Sequence, residues 1–411
     1  MKIRTFFQVF PILFIVIFVF ATCNQTPSDI HEQVLTVDTH VDTPISRPNG
    51  FHITKLNDIN SGGGQVDFPR MKKGGLDAIC YAIFLSQGNR TPEDFQKYTA
   101  KAEKDFDEIL EVIKAHPDLV ELALTPEDAY RIEKTGKRIL FLSIENGYTM
   151  GVDLSHVQKY YDYGLRLSGL CHGETNEICD SCTDEPEHDG LSEMGEKVVA
   201  EMNRLGIVVD VSHISDEAFY DVIKVSKTPI VASHSCARSL CESRRNMTDD
   251  MLEKLAKNGG VIQLCLLSSF IKKVEQSPQR EEALKALREK YENRDQSVEE
   301  RNKYYADRRE LEKKYPQKHA TVADAVDHID HIVELIGIDH VGIGTDFDGG
   351  GGLKGCMDAS EVGNVTKELV KRGYSEDQIR KIWGGNFMRV MQQVQDFAKE
   401  HKNPEMSNSR F

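Results

Sequence analysis

Short apolar runs alternate with longer amphipathic stretches along most of the chain, and this alternation sets the expected fold. The runs are QVLTVDTH (33–40), AICYAIFL (78–85), RILFLSIE (138–145), GLRLSGLCH (164–172), GIVVDVSH (206–213), PIVASHS (229–235), GVIQLCL (260–266) and HVGIGTDFD (340–348). Near-continuous apolar runs read as strands buried on both faces, as in a parallel sheet. Between them, TPEDFQKYTAKAEKDFDEILEVIKA places Phe95, Tyr98, Ala102, Phe106, Ile109 and Val112 at helical spacing. The stretches LSEMGEKVVAEMNRLG, SDEAFYDVIKVS and TDDMLEKLAKNG each carry a Ser or Thr that can cap a helix. Eight such strand–helix units predict an α/β fold, a (β/α)8 TIM barrel, ahead of a doubly wound sheet.

One segment breaks the alternation. Residues 268–320 are dense in charge, with Ala283, Leu284, Leu287 and Tyr291 as a thin apolar stripe. They predict a helical insertion between the seventh strand and its helix, solvated rather than core-forming. After the eighth strand, ASEVGNVTKELVKRG and SEDQIRKIWGGNFMRVMQQVQ predict two closing helices, and 399–411 a frayed tail. Gly62-Gly63-Gly64 has no helix behind it and so is a loop, not a phosphate cradle.

The N-terminus adds an address. Lys2 and Arg4 precede an apolar Phe6–Phe20 stretch too short to span a membrane comfortably, so residues 1–22 read as a secretory leader. Cys23 follows directly and fits a bacterial lipoprotein signal, with lipidation at Cys23 and 23–32 as a tether. Ordinary cleavage and release is the alternative; either way the expectation is export to the periplasm or cell envelope. About 390 residues then remain, enough for one barrel spanning 33–398. A formal charge of −15 argues against nucleic acid or an anionic membrane surface as partner. Cys179-x-x-Cys182 is the one close cysteine pair, either half a zinc site or a loop disulfide.

Chemistry collects at the ends of the runs. The first ends in His40 and Asp42, the third in Glu145, the fourth in His172, the fifth in His213, the sixth in His234, and the eighth in Asp346 and Asp348. A lone histidine at a strand end is usually structural. In a barrel, however, all these ends converge on one rim, where active sites are built. Imidazoles with carboxylates suit zinc, and a carboxylate can bridge two ions. No Ser-His-Asp arrangement or nucleophile elbow competes. The residues alone therefore predict metal-assisted hydrolysis, binuclear in form.

The ordered set DTHVDTP, SIENG, VVDVSHIS, ASHSCARSLCESRRNMTDDML and HVGIGTDFDG resembles the membrane (renal-type) dipeptidase family of the amidohydrolase superfamily. The resemblance extends to QVDFPRMKKGGLDA, GLSEMGEKVVAEMNRLG and GGNFMRV, and covers about residues 33–267 and 321–395. It implies two zinc ions, with His40 and Asp42 on one, His213 and His234 on the other, and Glu145 bridging. It implies that His172 contacts the scissile carbonyl or its oxyanion, that Arg245 grips the substrate carboxylate, and that Asp346 is the catalytic acid/base. Asp348 is assigned only a supporting place. The implied reaction is hydrolysis of a dipeptide whose C-terminal residue is D or L, and relatives are often homodimers. Leu264-Cys265-Leu266 departs from the family's Asn-Phe-Tyr, and the loop from Glu174 to His188 is expected to cover the site. Two rivals remain: a binuclear-zinc amidohydrolase acting on N-acyl-amino acids or lactams, and an exported metal-binding lipoprotein without activity.

Overall fold

The computed structural model describes residues 26–46, 50–59, 64–292 and 298–401. The leader, Cys23, Gly62, Gly63, the middle of the insertion and the tail from 402 lie outside the described residues. Nine strands form one parallel sheet: β1 Val37–Val41, β2 Ala78–Phe84, β3 Val120–Leu122, β4 Arg138–Glu145, β5 Leu165–Gly169, β6 Val208–Asp210, β7 Val231–Ser235, β8 Val261–Leu264 and β9 Val341–Ile343. The eight predicted runs give the eight strands in the order β1-β2-β4-β5-β6-β7-β8-β9, and β3 pairs only with β4. Past β9 the edges meet: Asp346 N–H donates to His40 O (3.1 Å) and Asp42 N–H to Phe347 O (2.9 Å). These bonds bring the ends of the sheet together as a (β/α)8 barrel. β3 was not expected from the sequence, because three residues are too few to display a period.

Side chains alternate across each strand, and the burial follows. Val37, Cys80, Phe141, Val208, Val231 and Val261 cluster with Phe387, Met391 and Val394 of the helix Asn386–Glu400. They fill the lower barrel, and that helix closes its floor, the Phe141 and Phe387 rings meeting edge to face at 6.1 Å. Neighbours such as Ile79, Leu140 and Ile262 join the larger core shared with the outer helices. Two residues further along their strands, Thr39, Ser143, Asp210, Ser233 and Gln263 are buried polar groups. The interior thus changes from hydrocarbon to hydrogen bonds on the way up to the rim.

The expected insertion is present. Helices Pro278–Tyr291 and Val298–Lys314 pair through Leu287, Tyr291 and Leu311. Arg280, 1% exposed, fastens them with two bonds to Glu312 (2.6 and 2.7 Å). The helix Pro92–Ala115 buries Ala102, Phe106, Ile109 and Val112 as its spacing predicts, with Thr91 as cap.

The first described helix, Pro27–Gln33, is held to the barrel by His31. Gly74 O can only accept, so His31 Nε2 donates to it (2.9 Å) and Nδ1 accepts from Thr366 Oγ1 (2.7 Å). The same hydroxyl oxygen receives Trp383 Nε1–H at 2.7 Å. Burial pushes the His31 pKa below its usual value. The folded state therefore binds this proton less readily than the unfolded chain, and the stabilisation is complete above about pH 6.5 and declines as pH falls below it. Urea unfolding followed by Trp383, the chain's one tryptophan, is expected to show a midpoint that falls between pH 7 and pH 5. His31→Asn should lower the pH 7 midpoint and flatten that fall.

Candidate active site

The nine residues singled out at strand ends or on the sixth strand's loop come together at one rim. Asp42, Glu145, His172, His213, His234, Arg245, Asp346 and Asp348 line a single cavity of about 470 Å³, within the range typical of small-ligand sites. His40 lies behind them, its ring stacked on His234 with centroids 3.7 Å apart. Two strands depart from regular pairing to achieve this. The β1–β2 register shifts between Asp38 and Val41, and the β7–β8 register shifts between Ala232 and Ser235. Such slips re-aim side chains, and they fall at His40 and His234.

Glu145, at the end of β4, is the hub. Its Oε1 lies 3.0 Å from His213 Nε2, 3.5 Å from His40 Nε2, and 3.7 Å from both His172 Nε2 and His234 Nε2. Three sets of ligand atoms fall within 4.8 Å of one another: His40, Asp42 and Glu145; Glu145, His213 and His234; and His40, His234 and Asp346. His40 Nε2 and Asp42 Oδ1 are buried with no hydrogen-bond partner. An orphaned imidazole nitrogen facing an orphaned carboxylate oxygen is the donor set that a divalent cation satisfies, so the residues fit a metal.

The electrostatics agree. Burial, with Asp42 beside it, pushes the Glu145 carboxyl up to about 7, and burial pushes Asp346 well above the usual range. Burial also keeps His213 and His234 neutral, the form that ligates metals. Burial would depress His40 as well, but the Asp42 and Glu145 carboxylates outweigh it and raise the pKa. His172, at the cavity edge, is held down to about 4 by burial and by the Arg245 guanidinium. Carboxyls that resist ionising beside imidazoles that resist protonation share one cause, a pocket that takes ionisable groups out of water.

The backbone is arranged to suit. His213 and Asp346 take left-handed φ values of 77° and 61°, conformations that side chains rarely adopt and that cluster at functional sites. The His213 carbonyl is pinned by the Cys182 N–H at 2.8 Å. Gly349 is required by space: a Cβ there would stand 2.1 Å from Asp42 Oδ2 and 2.3 Å from Asp346 Oδ1. Asp348 points back into the fold, where Thr43 Oγ1 and the Gln65 N–H (3.0 Å) donate to it. It ties the loops after β1 and β9 together, in keeping with a supporting place.

Several site residues carried no signal in the strand-end reading. Ser233 Oγ contacts His234 Nδ1 (2.8 Å) and donates to Asp210 Oδ2 (2.6 Å). This hydroxyl and carboxylate orient the imidazole from behind; a serine directly before the histidine in ASHS was the available clue. Asp38 Oδ1 accepts the His40 N–H (3.2 Å) and the Thr345 N–H (2.8 Å), bracing β1 against the β9 loop. Phe84, 38% exposed, closes on His172 edge to face at 4.9 Å. Leu267 and Phe270 complete the wall.

Two loop expectations change. None of the residues lining the cavity comes from the 174–188 loop, so the loop flanks the site instead of covering it. Asp180 accepts from the Glu187, His188 and Gly190 amides and holds the loop in place. Cys179 and Cys182 are both buried free thiols, not a loop disulfide. In the departure from the family's Asn-Phe-Tyr, Cys265 Sγ stands 3.9 Å from Asp346 Oδ2.

Known proteins resemble the chain over nearly its whole length. Residues 24–405 match the membrane dipeptidase family, peptidase family M19. Dipeptidase aclJ of Aspergillus oryzae is 32% identical over 382 residues, 90% of this chain and 81% of that protein. The crystal structure of the probable dipeptidase PvdM from Pseudomonas aeruginosa superposes with a TM-score of 0.77 at 30% identity, covering 90% of this chain and 98% of the other. A metallo peptidase from Rhodobacter sphaeroides, liganded with a phosphinate mimic of the dipeptide L-Ala-D-Ala, shares the fold with a TM-score of 0.69 at 23% identity, covering 88% and 99%. With its rim of clustered metal-ligand atoms, the chain belongs to the membrane dipeptidase family, peptidase family M19, and is a metallo-dipeptidase.

Proposed function

We propose that the rim holds two zinc ions, one on His40 and Asp42 and the other on His213 and His234, with Glu145 shared between them. The observation that carries this is Glu145 Oε1 within 3.0–3.7 Å of four imidazole nitrogens. When bound, such a pair supplies an activated water and polarises the scissile carbonyl. The chain's own groups do the rest. Arg245 is fixed with its guanidinium toward the cavity, one Nη donating to His234 O at 3.4 Å. Its planar fork suits a carboxylate, so it holds the substrate's C-terminus and sets the distance from clamp to scissile bond at two residues. His172, neutral because its pKa is about 4, donates a hydrogen bond to the carbonyl oxygen as charge develops there. Asp346 would be held ionised by the charge of bound cations, can then take the proton from the attacking water, and as the acid that burial favours passes it to the leaving nitrogen.

The substrate is then a dipeptide with a free carboxylate, of either hand at its C-terminal residue. For its location, we propose export followed by a lipid anchor at Cys23; among the described residues no helix is long and apolar enough to cross a membrane.

Asp346→Asn should retain two equivalents of zinc by elemental analysis while kcat falls about 10²- to 10⁴-fold. Metal lost together with turnover would make Asp346 a ligand instead. Arg245→Ala is expected to act mainly on KM, lowering kcat/KM by roughly ten- to hundred-fold, equivalent to about 1.5–3 kcal/mol of charge-assisted hydrogen bonding. An unchanged KM would favour substrates without a terminal carboxylate. Dialysis against a chelator should abolish hydrolysis, and a zinc titration should restore it with a break at two equivalents; a break at one would overturn the binuclear reading.

A further inference from the structure

We propose that Phe270 and Leu267 form a subsite for the side chain of the substrate's C-terminal residue, making this chain selective for dipeptides that end in an uncharged, apolar residue. The inference rests on the reading above that Arg245 grips the terminal carboxylate. One α-carbon carries both that carboxylate and the side chain, so whatever flanks the guanidinium meets the side chain as well. The Phe270 ring is that flank, its centroid 5.4 Å from the guanidinium carbon, and it lines the same cavity.

The ring is held in place. It sits on the short helix Ser268–Ile271, which follows β8 directly, where the sequence leaves the family pattern. Phe270 O accepts from Asn246 Nδ2 at 2.9 Å, so the residue next to Arg245 is bonded to the residue beneath it. Ser268 Oγ accepts the Ala320 N–H at 2.7 Å, anchoring the helix where the insertion returns. Leu267 is placed on the other side: a Cβ at Gly350 would lie 3.2 Å from its Cδ1, and Gly352 N–H bonds to Leu266 O at 2.9 Å. Together the two side chains give the cavity an apolar wall that runs from Arg245 toward the loop after β9.

Charge sharpens the choice. Asp346 and Asp348 line the same cavity, and Arg245 is the one guanidinium among the lining residues. Once Arg245 is engaged by the terminal carboxylate, a second carboxylate on an Asp or Glu side chain would be buried against hydrocarbon with no second guanidinium among the lining residues to pair it. Rejecting such substrates needs no further device.

The test compares zinc-loaded wild-type protein, Phe270→Ser, Phe270→Leu, Leu267→Ser and Arg245→Ala on Ala-Leu, Ala-Phe, Ala-Gly and Ala-Asp. In the wild type, kcat/KM for Ala-Leu and Ala-Phe should exceed that for Ala-Gly by about ten-fold or more, the usual discrimination of an apolar pocket, with Ala-Asp lowest. Phe270→Ser and Leu267→Ser should each reduce the Ala-Leu to Ala-Gly ratio by about three- to ten-fold through KM, while Phe270→Leu keeps most of it. A wild-type ratio near one, or a ratio that survives both serine variants, overturns the proposal. Arg245→Ala separates the two readings: a rise in KM for all four peptides supports the clamp, and no rise overturns the clamp and with it the subsite. If Phe270→Ser does not fold, the Leu267→Ser and Phe270→Leu ratios decide.

Discussion

One carboxylate facing four imidazoles in a nearly dry pocket is the constraint on which the rest of the molecule depends. Glu145 is 5% exposed, and His40 and His234 are 2% exposed each. In a protein without a ligand for them, such groups would be a liability, since every lone pair and ring nitrogen has been taken from water and only partly repaid. The raised carboxyls and depressed imidazoles record the same imbalance from both sides. The rim makes energetic sense as the protein's share of a coordination sphere, held in place because the barrel beneath it is rigid.

That rigidity is built in layers. The lower barrel is packed hydrocarbon closed by Phe387 and its neighbours. The next pleat up is Thr39, Ser143, Asp210 and Ser233, which spend their polar atoms on one another and on strand carbonyls: Thr39 Oγ1 to Ser233 O (2.8 Å), Ser143 Oγ to Tyr81 O (3.0 Å), Ser233 Oγ to Asp210 (2.6 Å). Above these bonded groups lie the orphaned His40 Nε2 and Asp42 Oδ1. A buried polar network that is complete fixes geometry, and here it fixes the one imidazole, His234, that touches both His40 and His213. The left-handed turns at His213 and Asp346 are tolerated on the same foundation.

Much of this was legible in the sequence because barrels convert a one-dimensional fact into a three-dimensional one. A residue at a strand's C-terminal end sits on the rim whatever its distance along the chain, so His40, Glu145, His172, His213, His234 and Asp346 could be gathered without contacts. Arg245 could not, since it lies on a loop, and only the resemblance of SRRN to a known family singled it out. Phe84, Leu267 and Phe270 were missed for a different reason. An apolar residue near a strand end looks like one more core position until the cavity beside it is known. β3 was too short to show a period, and the register slips at His40 and His234 leave no mark in residue type. The loop with Cys179 and Cys182 misled because charge and cysteines suggest a lid, whereas Asp180 spends its carboxylate tying the loop to itself.

The helix Pro27–Gln33 leads through Thr36 straight into the first residue of β1, which places the incoming chain at the barrel's closed end, beside Gly74 and Trp383. A leash attached anywhere ahead of Thr26 would therefore pull on the floor and leave the mouth facing outward. Small peptides drifting past could enter without crossing the attachment, and products could leave the same way. For a tethered chain of this fold, the end at which the polypeptide enters its first strand would set which way the cavity looks.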